Sequence, residues 1–371
     1  MDVVFFGAYD PAYPRNAVLR RGLSLNGVEV SECRVRPGPK FWLRYPLLLS
    51  RWRRRSGETA SGPKFVFVPE FAQKDVPLAR LVGRLAARPV VFDPLASRYE
   101  TKILDWRKKP EGSLSARWNR AIDGWAFRRA DLILSDTRAH KDYYCREFGL
   151  APEKIAVVPV GFDDRVFPRS LANRRAKKPG HPGPFTVLFF GSFLPLHGVD
   201  AVIEAAREVR GMDTTVRFEF IGSGQTFDHI RALASSYDLD NVDFDGWLSQ
   251  TELAGRVAET ADVCLGIFGR TEKAERVVPH KVFQAMALGK AVITARTPAV
   301  EEFFSHRKDI FLCNGQDPGR LAGAVLELKE NPGLRETLAR EGFDLVWAKY
   351  QPEAIGSELK GILQNLPGQD S

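Results

Sequence analysis

Arg276–Glu302 reads RVVPHKVFQAMALGKAVITARTPAVEE. Pro279 suits the opening of a helix, because its ring presets the backbone and its missing N–H costs nothing there. The helix should run to Gly289 and turn into a short strand, Ala291–Thr294. A second helix start follows at Thr297-Pro298. Two helix N-termini would then lie at the C-terminal edge of one strand. Their unpaired N–H groups and partial positive charge suit a phosphate-bearing ligand.

Outward from this stretch, short apolar runs alternate with helical segments. Val3–Gly7 reads as a buried strand, Asn16–Asn26 as a helix, and Val28–Val35 as a second strand. Strand-like runs recur at Phe65–Val68, Pro89–Phe92, Asp131–Ser135 and Ile155–Val160. After a gap they resume at Thr186–Phe190, Arg217–Ile221, Val242–Phe244, Val263–Phe268 and Ala291–Thr294. Strands separated by helices build parallel, doubly wound α/β sheets. The basic, proline-rich segment within 166–184 reads as a linker. The expectation is a Rossmann-like domain at 1–165 and a second at 185–349. The last helix, about 350–371, is expected to cross back onto the first. Open sheets bind ligands beyond the carboxyl ends of their strands, so the loops after Phe6, Phe92, Phe190, Ile221, Phe244, Phe268 and Thr294 matter most.

In this order GSFLPLHG, IGSGQ, VDFDGWL, ADVCLGIF and PHKVFQAMALGKAVIT resemble the donor domain of GT-B glycosyltransferases, above all retaining family 4. RRADLILSDTRAHKDYYCREFG and KIAVVPVGFDDRVF resemble that family's passage out of its first domain. The resemblance implies two Rossmann-like domains facing a central cleft. It implies a retaining, metal-independent, hexosyltransferase-like enzyme with a nucleotide-diphosphate sugar as co-substrate and no cofactor. The acceptor would be a glycan, a lipid-linked group or a small molecule, in bacterial glycan, glycolipid or secondary-metabolite biosynthesis. A non-catalytic nucleotide-sugar or glycan-binding protein is the alternative on this fold, and an epimerase or phosphorylase a third.

The resemblance also assigns residues. The family carries two glutamates eight positions apart, the first contacting the donor sugar and the second the ribose. Arg276 and Gln284 stand there, with Glu275 one residue off. Gln284 keeps hydrogen-bonding capacity without charge. Ser192 and His197 stand near positions where many members place an arginine and a lysine for the diphosphate; Lys281 and Arg276 are expected to compensate. Pro279, Gly191 and Gly198 complete the diphosphate site. Gly222 and Gly224 either let backbone approach the nucleotide or form a tight turn. Trp247 either packs near the base or is an ordinary half-buried ring. Asp93 is the candidate catalytic or sugar-contacting group, where members often have histidine; it equally suits a turn before proline. Gly7 and Arg15 flank the loop that admits the acceptor, and Arg15 is otherwise a surface residue. Asp243 and Asp245 mimic a metal-binding DxD, but read best as solvated strand residues.

Composition is ordinary for a globular chain of 371 residues, 44% hydrophobic and 27% charged. The net charge of +8 and pI near 9.3 favour an acidic partner. Nucleic acid is not expected, since no helix clusters base-reading residues. Four scattered cysteines, Cys33, Cys145, Cys264 and Cys313, suggest a reducing compartment. The opening residues lack the pattern of a signal peptide, and no run approaches the ~18 apolar residues that span a bilayer. A cytoplasmic protein is expected. Phe41–Arg55, FWLRYPLLLSRWRRR, mixes aromatics with arginines. It fits either peripheral contact with an anionic membrane at its inner face or a surface helix with aromatics inward. Pro46 argues against a single uninterrupted helix.

Overall fold

The computed structural model describes residues 1–38, 41–56, 64–172, 183–314 and 317–366. They form two compact units, Met1–Val160 with Pro352–Ser371, and Gly161–Gln351.

The first unit runs β1 (Asp2–Ala8), α1 (Pro14–Leu25), β2 (Glu29–Val35), α2 (Phe41–Ser56), β3 (Phe65–Val68), α3 (Val76–Leu85), β4 (Val90–Phe92), α4 (Leu114–Arg129), β5 (Leu132–Ser135), α5 (Arg138–Phe148) and β6 (Ile155–Val157). The strands pair in parallel in the order β2-β1-β3-β4-β5-β6. Parallel crossovers are right-handed, so the direction of each step fixes the face of its helix. From β2 onward every step runs the same way, and α2, α3, α4 and α5 share one face. Their common core joins Val4, Phe6, Val66 and Phe92 to Leu48, Trp52, Val82, Phe127 and Tyr144. The step from β1 to β2 runs the other way. β1, buried on both faces, therefore reads as a continuous apolar run.

The second unit runs α6 (Arg169–Ala172), β7 (Phe185–Phe190), α7 (Val199–Met212), β8 (Val216–Ile221), α8 (Phe227–Ser236), β9 (Val242–Asp245), α9 (Gln250–Thr260), β10 (Val263–Leu265), α10 (His280–Ala287), β11 (Ala291–Ala295), α11 (Pro298–Glu301), β12 (Phe311–Cys313), α12 (Pro318–Glu330) and α13 (Pro332–Lys349). Its order is β12-β11-β10-β7-β8-β9. α7, α8 and α12 pack into one core against β7, β8 and β11. The chain then returns to the first unit as α14 (Pro352–Gln364), which packs on α1.

The structure departs from the sequence reading in several places. β12 is an additional strand of three residues. β10 ends at Leu265, because the Thr294 hydroxyl engages the backbone N–H and carbonyl of Ile267. β6 ends at Val157; Pro159 has no N–H to offer, and the carbonyls of Val158 and Pro159 accept hydrogen bonds from Arg15. α2 continues through Pro46. Pro46 is exposed, so the carbonyl one turn earlier that loses its donor lies toward water. The segment expected as a linker opens as α6, whose Arg169 lies over the rings of Phe343 and Trp347; residues 173–182 lie outside the described residues. The units change at Val160/Gly161 rather than 165/166, because Phe162 packs edge-on to Trp347 at 4.9 Å.

Candidate active site

In the second unit the chain leaves β7 one way and β10 the other, so their C-terminal ends form the switch point where open sheets take ligands. The Gly191–Gly198 loop sits there. Gly191 N donates to Ile221 O at 2.9 Å, and Phe193 N to Ser223 O at 3.0 Å. On the other side, Phe268 N donates to His197 O at 2.9 Å. A Cβ on Gly222 would lie 2.1 Å from Gly191 O, and one on Gly224 2.6 Å from Phe193 N. Both glycines are thus required by a neighbouring loop of the same unit. Gly198 is held likewise, its absent Cβ facing the Phe268 carbonyl carbon at 2.3 Å.

α10 brings its first turn to this loop. Pro279 is the residue before the helix and offers no side-chain cap. Lys281 is buried, with its Nζ 3.7 Å from the centre of the Phe189 ring. A Cβ at Gly191 would sit 3.3 Å from that Nζ. The Nζ has no hydrogen-bond partner among the described residues. Burial holds its pKa well below the ordinary lysine range. His197, also buried, packs against Phe189, and its Nδ1 has no partner among the described residues. Burial pushes the His197 pKa well down; the positive charges of Lys281 and Lys273 add to this, against a backbone hydrogen bond at Ser192. Sequence reasoning missed Lys273, which is buried and three positions from Arg276. Lys281 and His197, held toward their neutral forms by burial, lie together beside a helix N-terminus, a setting that an anion would favour.

The other sequence-predicted groups lie as follows. Gln284 is buried on α10, three residues beyond Lys281. Arg276 pairs with Glu272, while Glu275 is exposed. Trp247 is 63% exposed, just past the edge strand β9. Asp243 and Asp245 pair with Arg217 and Arg256. The second helix start offers no anion site. α11 has four residues, Ala299 N is used by Glu275 O, and Val300 N by the Thr297 hydroxyl.

In the first unit the switch point lies between β1 and β3. Arg15 is fully buried and far from surface-like. Its Nε donates to Asp93 Oδ2 at 2.8 Å and its Nη1 to Val158 O at 2.9 Å. The guanidinium is thus occupied by protein acceptors, and Asp93 is the carboxylate it holds. Gly7 makes room for Asp75, whose Oδ2 accepts from Ala8 N at 2.8 Å and whose Oδ1 pairs with Arg44. Near the Arg15–Asp93 pair lies Glu70, 4% exposed, with Oε2 unpartnered among the described residues. Burial, then the charge of Asp93, pushes its pKa up to about 9, against hydrogen bonds from its own backbone and Asn16 and the charge of Arg15. Glu70 is a protonated acid at neutral pH and can donate to a ligand oxygen. The signal for it was slight: a carboxylate two residues past a buried strand, in VPEF.

A further buried group lies after β4 and β5. His140 is bridged by Glu100 Oε2 at 2.9 Å and Asp136 Oδ1 at 2.7 Å.

Comparison with known proteins decides what these sites belong to. Residues 1–161 match the glycosyl transferase 4-like domain, and residues 172–344 match glycosyl transferases group 1. The chain belongs to the group 1 glycosyltransferases. Among curated relatives, the D-inositol 3-phosphate glycosyltransferase of Acidothermus cellulolyticus is 29% identical over 228 residues, 57% of this chain and 48% of that protein. The GDP-mannose-dependent alpha-(1-6)-phosphatidylinositol monomannoside mannosyltransferase of Mycobacterium tuberculosis is 26% identical over 240 residues, 63% of this chain and 62% of that protein. The chain therefore spans about half to three-fifths of their length. Anabaena HepE, solved with UDP, matches with a TM-score of 0.72 at 16% identity, over 99% of this chain and all of its own. That likeness fixes this group 1 chain as GT-B in fold, with two six-stranded parallel sheets.

Proposed function

We propose that the chain is a retaining, metal-independent glycosyltransferase that moves a sugar from a nucleotide-diphosphate sugar to an acceptor hydroxyl. The observation that carries this is the buried Lys281 amine, whose Nζ has no acceptor among the described residues, at the switch point beside Gly191 and His197. A desolvated amine of that kind regains its proton and its hydrogen bonds when an anion arrives. Gln284, one turn along the same helix, faces the ribose in this reading. In the reaction the acceptor oxygen bonds to the anomeric carbon as that carbon's bond to the diphosphate breaks. The acceptor proton passes to the departing phosphate oxygen on the same face. Lys281 and the first-turn N–H groups of α10 stabilise the charge gathering on the diphosphate, as a divalent cation would in other transferases. In the first unit, Glu70 beside the Arg15–Asp93 pair is the acid available to donate a hydrogen bond to an acceptor oxygen.

The HepE structure contains UDP, while one relative is named for GDP-mannose, so both bases enter the test. Thermal unfolding with UDP, GDP, ADP and their sugars should show one nucleoside diphosphate raising the midpoint. Its sugar should then be transferred or slowly hydrolysed in the presence of EDTA. No shift with any of them would overturn the proposal. A shift without turnover on any acceptor would make the chain a nucleotide-sugar binder, and activity lost to EDTA and restored by magnesium would overturn metal independence.

A further inference from the structure

We propose that the outer surface of α2, α3 and α4 is a docking face for an anionic phospholipid bilayer. These helices lie on one face of the first sheet, as their shared core shows. They hold five, two and four arginines, no lysine and no glutamate. Their one carboxylate, Asp123, is buried. The charge of these three helices alone thus exceeds the +8 of the whole chain. Some of these arginines are occupied: Arg44 by Asp75, Arg80 by Asp131 and Arg120 by Glu147. Arg53, Arg54, Arg84, Arg117 and Arg128 are exposed on the same three helices.

The apolar residues point the same way. Among the described residues eleven large apolar side chains are exposed, and seven of them lie on these three helices. On α4, Leu114, Trp118, Ala121 and Trp125 follow one another at helical spacing, all exposed. Trp118 is 63% exposed and Leu114 81%. Arg129 lies over the Trp125 ring with its guanidinium carbon 4.2 Å from the centroid. On α3, Leu81 and Leu85 are exposed at the same spacing, and on α2 Leu43 and Leu47. The side chains at 41, 42, 55 and 56 lie outside the described residues.

Arginines set among outward tryptophans and leucines, on helices whose one carboxylate is buried, match an interface of anionic headgroups over acyl chains. Rings and leucines enter the interface, and arginine stems can lie along it with their charge at the headgroups. A single-stranded nucleic acid would use the rings and the arginines, but would leave the leucines idle. Among the described residues no helix is long and apolar enough to cross a membrane; the proposed contact is peripheral.

The test is sedimentation of the full chain with phosphatidylcholine vesicles, with and without phosphatidylglycerol. Pelleting is expected only with the anionic vesicles and should fall as salt rises. Trp118→Ser with Trp125→Ser should weaken pelleting at least about tenfold, as should Arg117→Glu with Arg128→Glu. Both pairs are exposed, so the thermal midpoint should stay with the parent. No pelleting with anionic vesicles at low salt would overturn the proposal, as would a tryptophan variant that pellets like the parent. An oligonucleotide or acidic protein that holds the chain off the vesicles at equal charge would also overturn it. The readout needs no sugar transfer, so it is independent of the proposed function.

Discussion

Lys281 concentrates the functional argument into one atom. Its Nζ sits against Phe189, and among the described residues no oxygen accepts its protons. A bound diphosphate would supply that oxygen and restore the ammonium's pKa. Lys281→Ala should therefore raise the donor KM about ten- to a hundredfold, the worth of a charged hydrogen bond of about 1.5–3 kcal/mol. An unchanged KM would remove Lys281 from the site. Nucleotide binding should also take up protons, because burial lowers the lysine's pKa in the free protein and the ligand raises it. Calorimetry in two buffers of different ionisation enthalpy reads this directly, and affinity should fall as pH rises. Glu70 and His140 make a second prediction. Burial opposes the His140 imidazolium, but Glu100 and Asp136 outweigh it and raise its pKa to about 9 from 6.5. Glu70 is raised to about 9 from 4.5. Between the unfolded and folded values the folded chain holds the extra proton. Each contribution is therefore full below the unfolded pKa and lost as pH rises through 9. Stability should fall between pH 6.5 and 9 by up to about 1.4 kcal/mol per pH unit for each proton. Urea titrations check the slope; Glu70→Gln should flatten it by about one proton, and a slope unchanged in that variant would clear Glu70.

At the scale of elements, the contact of α1 with α14 depends on two glycines meeting backbone to backbone. A Cβ on Gly22 would lie 2.2 Å from Pro352 O, and one on Gly356 2.0 Å from the Gly22 carbonyl carbon. Neither obstacle is a side chain that can swing away, so the helices must separate. Gly356→Ala should cost at least the 1–3 kcal/mol typical of overpacking, read as a lower urea midpoint. Gly361→Ala, with open space at its Cβ position, should instead be neutral or slightly stabilising. If both variants melt alike, the close crossing is wrong. These elements also show what the sequence could reveal. β1, β3, β7 and β11 stood out because strands buried on both faces are continuous apolar runs. β12, Phe311–Cys313, was missed although it is as long as β4, β6 and β10, which the sequence showed. The residues proposed for the phosphate side could be grouped from sequence because Lys281 and Gln284 lie one turn apart on α10. In the first unit Arg15 and Asp93 could be named but not paired, because partners are distant in sequence: 78 residues separate Arg15 from Asp93, and 40 separate Glu100 from His140. Gly222 and Gly224 read equally as backbone approach to a nucleotide or as a tight turn, and the Gly191–Phe193 backbone occupies the space beside them. A pattern of residue types marks a turn without saying what presses on it.

For the whole molecule, the division matters more than the number of strands. Each unit has its own sheet and core, and the chain passes between them at Val160/Gly161 and again at Gln351/Pro352. The first unit is therefore finished by residues that follow the second in sequence. Calorimetric unfolding should show two transitions, since units with separate cores need not melt as one. A nucleoside diphosphate bound at α10 should raise one of them by the linkage of binding to folding. Ending the chain at Gln351 would identify the other. It removes α14, whose Ile355, Leu359 and Leu363 are fully buried. At about 1.5–3 kcal/mol for each buried side chain, the loss rivals the 5–15 kcal/mol that holds a typical domain. The shortened chain should lose or sharply lower the transition that ignores nucleotide, and keep the one that responds. If the nucleotide-responsive transition disappears instead, the phosphate site does not belong to the second unit, and the assignment of Lys281 falls with it.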